Sequence, residues 1–456
     1  MNKPYNILYI SSRGDSGAGG ENYLLTLFKN LDRNNFRPIV VLPKDGTLRK
    51  PLEDLGIEVI IIEANYSWLK PDIAWYNVTE GIQDRVKKLE LIINEKEIDL
   101  VHTNSNLRFE GALAARLAGS PHLYLAHIEY QPDMPIFQRL PFSQSSFAQL
   151  MGELSDHTVA VSQSVANTLS SHITDNKLTV IHNGLVLDIF NTALKNKSNC
   201  LKQELGLTDD SILITAVGRI TPDKGFDFFL ESANLVLQNN KDKVHFIIAG
   251  DEENTDFTDA LKLKTIDYSI TNNFHFLGFR TDIPDILAES DIFVLSSRKE
   301  GHPYVMLEAM ASECAVVASN CAGVEETIEE GISGFIVPIG NIDLLADRLQ
   351  SLINYKESRL ALAEAARKRI EDNFTADKST RSLMLVYEKL LSLPTNKPGS
   401  FGVELFLQNC TEVAHLGLKN IEMNDRLKKV EQLANLLLDN FMIKALRSLK
   451  KFLLRR

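Results

Sequence analysis

The chain has 456 residues, of which 44% are hydrophobic and 24% charged, and these proportions are ordinary for a globular protein with a large core. Its length predicts two or three domains at about 100–200 residues each. The formal net charge of −11 argues against nucleic-acid binding, because neutralising phosphates requires an excess of Lys and Arg. No apolar run reaches the roughly 20 residues of a membrane-spanning helix, and residues 1–10 lack a signal-peptide pattern. We therefore expect a cytoplasmic protein.

Short apolar runs alternate with amphipathic stretches in the first part of the chain. The strand candidates are Asn6–Ile10, Arg37–Leu42, Glu58–Ile62, Leu100–His102, His122–Ala126, His157–Val161 and Thr179–Ile181. Helical periodicity fills intervals such as Glu21–Leu31 and Gly81–Asn94. This alternation predicts βαβ units. We expect a first α/β domain over residues 1–195, with a parallel sheet covered by helices on both faces.

The same alternation restarts after a polar segment, Asn191–Lys202, which we interpret as a linker. The new strand candidates are Ile212–Val217, His245–Ala249, Phe274–Phe276, Ile292–Leu295, Ala315–Ser319 and Gly334–Val337. The helical candidates are Phe226–Leu237, Asp282–Leu287, Tyr304–Ala311 and Ile342–Ile353. We predict a second doubly wound domain over residues 196–375. Both domains should face one cleft, where sheets of this kind bind ligands.

The remainder of the chain is predicted to be largely helical. A helical pattern spans Arg367–Leu393, and we expect residues 376–393 to pack back toward the first domain. Residues 394–456 form a linker and a helical tail, whose last 16 residues carry six cations, no carboxylate and apolar residues at helical spacing. Such a basic amphipathic helix favours peripheral contact with an anionic membrane, here the inner face of the cell membrane. The alternatives are a helix that packs within the chain or in a coiled coil, since an apolar stripe also runs through residues 427–437, and packing into a homodimer.

Two glutamates, Glu300 and Glu308, carry the strongest chemical signal. Glu300 follows the strand Ile292–Leu295, and Glu308 lies about two helical turns further on. Carboxylates at this spacing can accept hydrogen bonds from sugar hydroxyls at two points along an extended ligand. A lone pair of glutamates is more often a capping or salt-bridging pair, so the neighbouring motifs decide the interpretation.

Two further loops suit an anionic ligand. Arg219 and Lys224 lie between a strand and a helix, where cations and the helix dipole favour a diphosphate. The alternative is that Arg219 pairs with an acidic neighbour and that Lys224 is solvated. Gly19 and Gly20 open the first helix and would let backbone N–H groups approach a phosphate or sugar. Their spacing does not fit the dinucleotide fingerprint.

These motifs, in order over about residues 5–390, resemble those of the family 4 glycosyltransferases. The matching segments are Gly19–Glu21, Val161–Ser162, Ile181–Gly184, Gly218–Arg219, Lys224–Gly225, Glu300–Ala311, Ala322–Glu326 and Gly331–Phe335. The resemblance implies a GT-B fold. It also implies transfer of a sugar from a nucleotide-sugar donor with retention of configuration. The expected donor is a UDP-sugar. The acceptor would be a glycan or lipid-linked glycan in polysaccharide biosynthesis. No metal ion or other cofactor is expected.

The resemblance also implies roles for residues of the second domain. Glu308 would bind the ribose hydroxyls of the nucleotide. Glu300 would contact the donor sugar beside the reacting centre. Gly301 and His302, between the two glutamates, would help to bind the substrate, His302 through its backbone N–H.

The remaining roles concern the diphosphate and the opposite wall of the cleft. Arg219 and Lys224 would hold the diphosphate and stabilise its charge as it leaves. Gly19 and Gly20 would line the sugar–phosphate side. His127 would contact the donor sugar from the first domain. The turn at Gly250–Glu253 is more acidic here than the Gly-rich turn usual in the family.

Two other functions compete with this interpretation. A sugar-nucleotide epimerase on the same fold needs acid–base groups in both domains. The first domain offers His127 and His102, which we expect at the cleft edge, but few carboxylates. A catalytically silent, membrane-associated scaffold would not need the glutamate pair and the two cations, although fold-level analogy does not decide the question.

Overall fold

The computed structural model describes residues 3–17, 19–64, 81–104, 108–132, 143–238, 240–241 and 243–392, together with residues 407, 423, 426 and 429. The predicted basic helix at residues 441–456 lies outside this part of the chain. The predicted linker and tail, residues 394–456, also lie outside the described part, apart from those four positions. In the described part, no helix is both long enough and apolar enough to cross a membrane.

The first sheet has seven parallel strands in the order β3-β2-β1-β4-β5-β6-β7. Its strands are β1 (Tyr5–Ser11), β2 (Phe36–Leu42), β3 (Glu58–Ile61), β4 (Leu100–Asn104), β5 (His122–Ala126), β6 (His157–Ala160) and β7 (Leu178–Val180). The central strands are buried almost throughout, because helices cover both faces. This burial explains the apolar runs of β1 and β5, whereas β4 is fully buried although its last three residues, His102, Thr103 and Asn104, are polar.

The second sheet has six parallel strands in the order β10-β9-β8-β11-β12-β13. Its strands are β8 (Ile212–Val217), β9 (Val244–Ala249), β10 (Phe274–Phe276), β11 (Ile292–Leu295), β12 (Ala315–Ser319) and β13 (Phe335–Val337). The strand order reverses between β1 and β4 in the first sheet and between β8 and β11 in the second. Ligands bind outside the carboxyl ends of the strands at such switch points. The prediction of two doubly wound parallel sheets is confirmed.

Helices cover both sheets. Around the first sheet lie α1 (Gly19–Asn30), α2 (Arg49–Asp54), α3 (Ile82–Glu95), α4 (Glu110–Ala118), α5 (Gln144–Leu154) and α6 (Gln163–Leu169). The connection contains α7 (Asp188–Lys195) and α8 (Cys200–Glu204). The later helices are α9 (Phe226–Leu237), α10 (Thr255–Asp267), α11 (Ile283–Glu289), α12 (Tyr304–Ala311), α13 (Val324–Thr327), α14 (Ile342–Asn354), α15 (Lys356–Asn373) and α16 (Ala376–Leu391).

Two predicted segments were wrong in detail. The predicted polar linker Asn191–Lys202 contains most of α7 and the start of α8. Each of these short helices buries only two residues, and the predicted linker begins inside α7, after its buried Phe190. The predicted single helix Arg367–Leu393 is broken at Phe374, because Thr375 caps α16 by accepting a hydrogen bond from the Lys378 N–H.

The last helix, α16, packs on the first sheet. The Tyr387 hydroxyl lies 2.6 Å from His102 Nδ1 and 3.1 Å from the Tyr9 hydroxyl, and all three residues are fully buried. The expectation that His102 lies at the cleft edge was therefore wrong. Its position at the third residue of β4 places it in the core, and burial holds the pKa of its imidazole well below the usual value.

Candidate active site

Lys224 and Glu300 form an ion pair at the carboxyl edge of the second sheet. Lys224 follows β8 and Glu300 follows the neighbouring strand β11, so pairing of the two strands brings their loops together. Lys224 Nζ lies 2.6 Å from Glu300 Oε1, and the Ser297 hydroxyl donates to the same oxygen at 2.7 Å. Burial by itself would lower the pKa of Lys224, but the Glu300 carboxylate outweighs it and the pKa is raised. The ammonium group therefore stays charged.

Backbone contacts fix the loop that carries Lys224. Gly225 has φ +65°, and a Cβ atom there would lie 2.0 Å from the Ser296 carbonyl oxygen. The Ser296 hydroxyl donates to the Lys224 carbonyl at 2.9 Å. Glycine is therefore required at position 225 both for its conformation and for the close approach of the two loops.

Arg219 pairs with Glu253, in the acidic turn after β9. The two loops touch, because a Cβ atom on Gly250 would lie 1.8 Å from the Gly218 carbonyl oxygen. The Ile220 N–H also donates to the Asp251 carbonyl at 2.7 Å. The structure thus shows the alternative raised from the sequence, an acidic partner for Arg219. The acidic run in a turn that is usually Gly-rich was the signal for it.

Glu308 lies on α12, one turn from its start, and is half-buried. No hydrogen bond or ion pair joins its carboxylate to any other residue that the structure describes. Loss of contact with water raises the pKa of Glu308 to about 7. Near pH 7 the group is therefore partly ionised, and its ionised form can accept hydrogen bonds from a ligand's hydroxyl groups.

Gly301 is a point of close approach between the two domains. A Cβ atom on Gly301 would lie 1.8 Å from the His127 carbonyl oxygen and 3.3 Å from Val161 Cγ2. Only a glycine can bring the Glu300 loop so near the first domain. The sequence singled out Gly301 as a substrate-binding residue, and the structure adds this contact between domains.

The His302 imidazole is buried and fully engaged by the protein. The Asn183 N–H donates to His302 Nδ1 at 3.2 Å, and Nε2 lies 3.0 Å from the Thr327 hydroxyl. The Asn183 side-chain amide also donates to the His302 carbonyl at 2.8 Å. The side chain therefore ties the Glu300–Glu308 segment to the connection between the sheets.

Acid should destabilise the protein partly through His302. Burial lowers the pKa of its imidazole from 6.5 to about 3. Between these values the unfolded chain binds a proton that the folded chain does not, so the free energy of unfolding falls as the pH drops. The loss is at most about 1.4 kcal/mol per pH unit. Urea unfolding at pH 7 and pH 5 should show a smaller pH difference for His302→Gln than for wild type.

The control for this prediction is His172→Gln, since His172 is only half-buried and bonds to the Ser145 hydroxyl. It should leave the pH difference close to that of wild type. An unchanged difference in His302→Gln would contradict the assignment of a neutral His302 in the folded protein.

On the first domain, Gly19, Gly20 and His127 lie together. His127 Nε2 is 2.7 Å from Asn104 Oδ1, and the Asn104 amide donates to the Gly20 carbonyl at 2.9 Å. Burial lowers the pKa of His127 to about 4, so the imidazole is neutral near pH 7. The Tyr304 ring of the second domain lies 3.8 Å from where a Gly19 Cβ atom would be. Sequence reasoning missed Asn104, whose only signal was a polar residue ending a buried strand.

Glu326 also bridges the domains and was given no role from the sequence. Its carboxylate accepts hydrogen bonds from the N–H groups of Gln163 at 2.7 Å and Ser164 at 3.1 Å, in the first turn of α6. It also lies 2.7 Å from His182 Nε2. A carboxylate from the second domain thus caps a helix of the first.

The structure therefore gathers most of the predicted residues at one interdomain seam. Lys224, Glu300 and Gly301 lie on the second domain, with Glu308 on the helix that follows. His127 contacts Gly301 from the first domain, and Gly19 and Gly20 lie beside it. Arg219 is held by Glu253, and the His302 side chain is directed to Asn183 and Thr327.

Two family models match the chain, one for each sheet. The model described as Glycosyltransferase Family 4 matches residues 17–189, and the model described as Glycosyl transferases group 1 matches residues 198–369. Together with the two facing Rossmann-like sheets, these matches define a glycosyltransferase of GT-B fold. The chain belongs to the family 4 type of glycosyltransferases, as the sequence resemblance predicted.

Individual relatives carry more specific names. The chain is 28% identical over 309 residues to the Escherichia coli UDP-Gal:alpha-D-GlcNAc-diphosphoundecaprenol alpha-1,3-galactosyltransferase, covering 65% of this chain and 76% of that protein. It is 26% identical over 361 residues to the N,N'-diacetylbacillosaminyl-diphospho-undecaprenol alpha-1,3-N-acetylgalactosaminyltransferase of Campylobacter jejuni, covering 77% and 91%.

A similar solved structure is that of Anabaena HepE in complex with UDP. It has a TM-score of 0.69 at 22% identity and covers 84% of this chain and 100% of that chain. The same protein has also been solved in complex with UDP-glucose. This similarity establishes the shared fold.

Proposed function

We propose that this glycosyltransferase moves a hexose from a UDP-sugar to a glycan or lipid-linked glycan acceptor, with retention of configuration, in polysaccharide biosynthesis. One observation carries the proposal. The Lys224–Glu300 pair, with a 2.6 Å contact, lies at the seam where Gly301 meets His127 of the first domain. A cation for a leaving diphosphate thus lies beside a carboxylate for a sugar.

The proposed reaction uses charges already in place. The diphosphate binds to Lys224 and Arg219. To do so, Arg219 gives up its ion pair with Glu253 and pairs with the phosphate oxygens instead. The acceptor hydroxyl oxygen forms a bond to the anomeric carbon as the bond from that carbon to the diphosphate oxygen breaks. The acceptor proton passes to the leaving diphosphate, whose charge the two cations stabilise. Closure of the cleft would exclude water and limit hydrolysis of the donor.

The remaining residues would position the donor sugar and nucleotide. Glu300 accepts hydrogen bonds from the donor sugar on one side, and the neutral His127 contacts it on the other. Glu308, whose carboxylate is otherwise unpaired among the described residues, takes the ribose hydroxyls. Gly19 and Gly20 leave room for the sugar diphosphate beside the first turn of α1.

The relatives support the substrate classes. One is named for UDP-Gal, and HepE was solved with UDP and with UDP-glucose. Both enzymatic relatives are named for acceptors linked through a diphosphate to undecaprenol. We propose a similar lipid-linked acceptor for this chain. Work on such an acceptor would place the protein at the inner face of the cell membrane, with the basic tail at residues 441–456 on the anionic surface.

The donor site can be tested through Glu308. Replacing Glu308 by Ala removes a charged acceptor of ribose hydrogen bonds, which contribute about 1.5–3 kcal/mol each, so the Kd for UDP should rise at least tenfold. Thermal unfolding with UDP, GDP, ADP or no nucleotide would measure this and identify the base. Glu357→Ala, an exposed glutamate on α15, is the matched control. Equal UDP affinity in Glu308→Ala and wild type would refute the ribose assignment.

The whole reaction can be tested with GlcNAc-diphosphoundecaprenol and a set of UDP-hexoses. UDP release that depends on the acceptor, with an α-linked product by proton NMR, is the expected result. Conversion of the UDP-sugar to its epimer without acceptor would favour the epimerase. Failure to bind any of the three nucleotides would favour the scaffold.

A further inference from the structure

Glu21 is a nearly buried carboxyl that the reaction described above does not use. It lies in the first turn of α1 directly after Gly19 and Gly20, and only 2% of its surface is exposed. Within the described residues, no hydrogen bond or ion pair joins its carboxyl to another side chain. The charged groups of its own domain whose fields act on it are Arg13 and Asp15, and Asp15 is paired with Lys44.

Burial without a cationic partner favours the neutral form of such a group. Removing an ionised carboxylate from water costs several kcal/mol unless paired groups compensate. The dipole of α1 favours a negative charge at this end by only about 0.3–1 kcal/mol. Consistent with this balance, burial raises the pKa of Glu21 to about 7, although the field of Arg13, a hydrogen bond from the backbone N–H of Glu21 itself and the field of Arg219 all oppose the rise.

The position of Glu21 links it to the proposed donor. The residue before it, Gly20, packs on His127 and Asn104, and Gly19 packs on the Tyr304 ring of the second domain. Arg219 is the cation of the second domain whose field reaches Glu21. A sugar diphosphate at this seam would bring negative charge toward Glu21 and would engage Arg219. Both effects favour protonation of the carboxyl.

We propose that Glu21 takes up a proton when the sugar-diphosphate donor binds and that its carboxylic O–H donates a hydrogen bond to an oxygen of that donor. A protonated carboxyl has the O–H donor that a carboxylate lacks. The proposal rests on the donor site inferred above. It assigns to a residue of the first domain a direct part in holding the donor.

The consequence is a donor affinity that falls at alkaline pH. The carboxyl titrates near 7 in the free protein and at a higher pH in the complex. Above pH 7 the free protein has lost the proton that the complex must hold, so the donor binds more weakly as the pH rises. The loss is up to about 50-fold between pH 7 and pH 9. Glu308 acts in the opposite sense, because the ribose hydroxyls need its ionised form and its pKa is also about 7. The wild-type affinity should therefore be greatest near pH 7.

The other groups around Glu21 do not titrate in this range. Asp15 has a lowered pKa, His127 titrates near 4, and burial raises the pKa of Tyr304 well above its usual value. The remaining charges that act on Glu21 are the guanidinium groups of Arg13 and Arg219. The alkaline decrease can thus be assigned to Glu21 by a single substitution.

The test uses Glu21→Gln, in which the amide imitates a protonated carboxyl and keeps a donor. The probe is whichever of UDP-glucose, UDP-galactose, UDP-GlcNAc and UDP-GalNAc binds the wild type most tightly. In a UDP-sugar the terminal phosphate is esterified, so these probes lack the phosphate group of free UDP that titrates near pH 6. Calorimetry from pH 6 to pH 9 should show the wild-type Kd rising at least tenfold above pH 7. The Kd of Glu21→Gln should change less than threefold there.

Glu21→Ala should bind the donor at least tenfold more weakly than Glu21→Gln at pH 7, because it lacks the donor group. An alkaline decrease that persists in Glu21→Gln would overturn the proposal, and so would equal affinities of the Gln and Ala variants. Melting temperatures of both variants check that each is folded. Failure of the wild type to bind any UDP-sugar would instead refute the proposed donor site.

Discussion

Replacing Lys224 by Met will lower kcat by about 100- to 1,000-fold, because a preorganised charge at the leaving group typically contributes that much. Lys224 Nζ lies 2.6 Å from Glu300 Oε1, so the substitution also leaves that carboxylate without its cation. Repulsion between Glu300 and the diphosphate should therefore weaken donor binding as well. Steady-state kinetics with the UDP-hexose that the wild type prefers, together with melting curves, would measure both effects.

The double variant Lys224→Met, Glu300→Gln distinguishes a loss of catalysis from a loss of folding stability. Removing both partners avoids an unpaired buried charge, so it should recover stability that the single variant loses. Its activity should stay at the low level of the single variant. Lys264→Ala is the matched control, since Lys264 pairs with Glu231 between α9 and α10 of the same domain. A Lys224→Met enzyme with kcat within threefold of wild type would contradict the proposed role of Lys224.

Replacing Gly301 by Ala will lower kcat by about 100-fold, because the loop must move by more than about 1 Å and a misplacement of that size has such an effect. The added Cβ atom would lie 1.8 Å from the His127 carbonyl oxygen, a contact that neither backbone can relieve locally. The domains would be pushed apart at the point where Glu300 and His127 approach each other. Overpacking should also lower the free energy of unfolding by about 1–3 kcal/mol.

Gly56→Ala is the control for Gly301→Ala. Gly56 has φ +70° and open space around its Cβ position, so this change adds backbone strain without a clash and lies between α2 and β3. It should lower stability slightly and leave kcat unchanged. A Gly301→Ala enzyme that keeps wild-type kcat would show that the close approach of Gly301 to His127 is not needed for activity.

The sequence predicted correctly those features that depend on a single helix, strand or loop. Strands such as β1 and β11 are buried on both faces, and their uninterrupted apolar runs made them visible. Glu300 and Glu308 were found because their separation is set by one loop and one helix. The family resemblance then ordered these pieces into a cleft.

The sequence did not predict those features that depend on a contact with a residue far away in the chain. The helix break at Phe374 has a local part, the Thr375 cap, and a distant part, because the Leu185 N–H donates to the Phe374 carbonyl. His102 looked like a residue at the end of a strand, but Tyr387, from the far end of the chain, buries it in the core. The sequence raised an acidic partner for Arg219 as an alternative, but only the contact between the two loops selects Glu253.

By itself the sequence determined the two parallel sheets, the glycosyltransferase family and the identity of the main charged residues, because hydrophobic period and motif spacing are local properties. Only the tertiary structure decided which charges are paired. It joined Lys224 to Glu300, left the carboxyls of Glu21 and Glu308 without a side-chain partner among the described residues, and placed Glu326 across the seam. Those outcomes depend on packing between segments far apart in the chain, and packing sets the burial and the electric field that each side chain experiences.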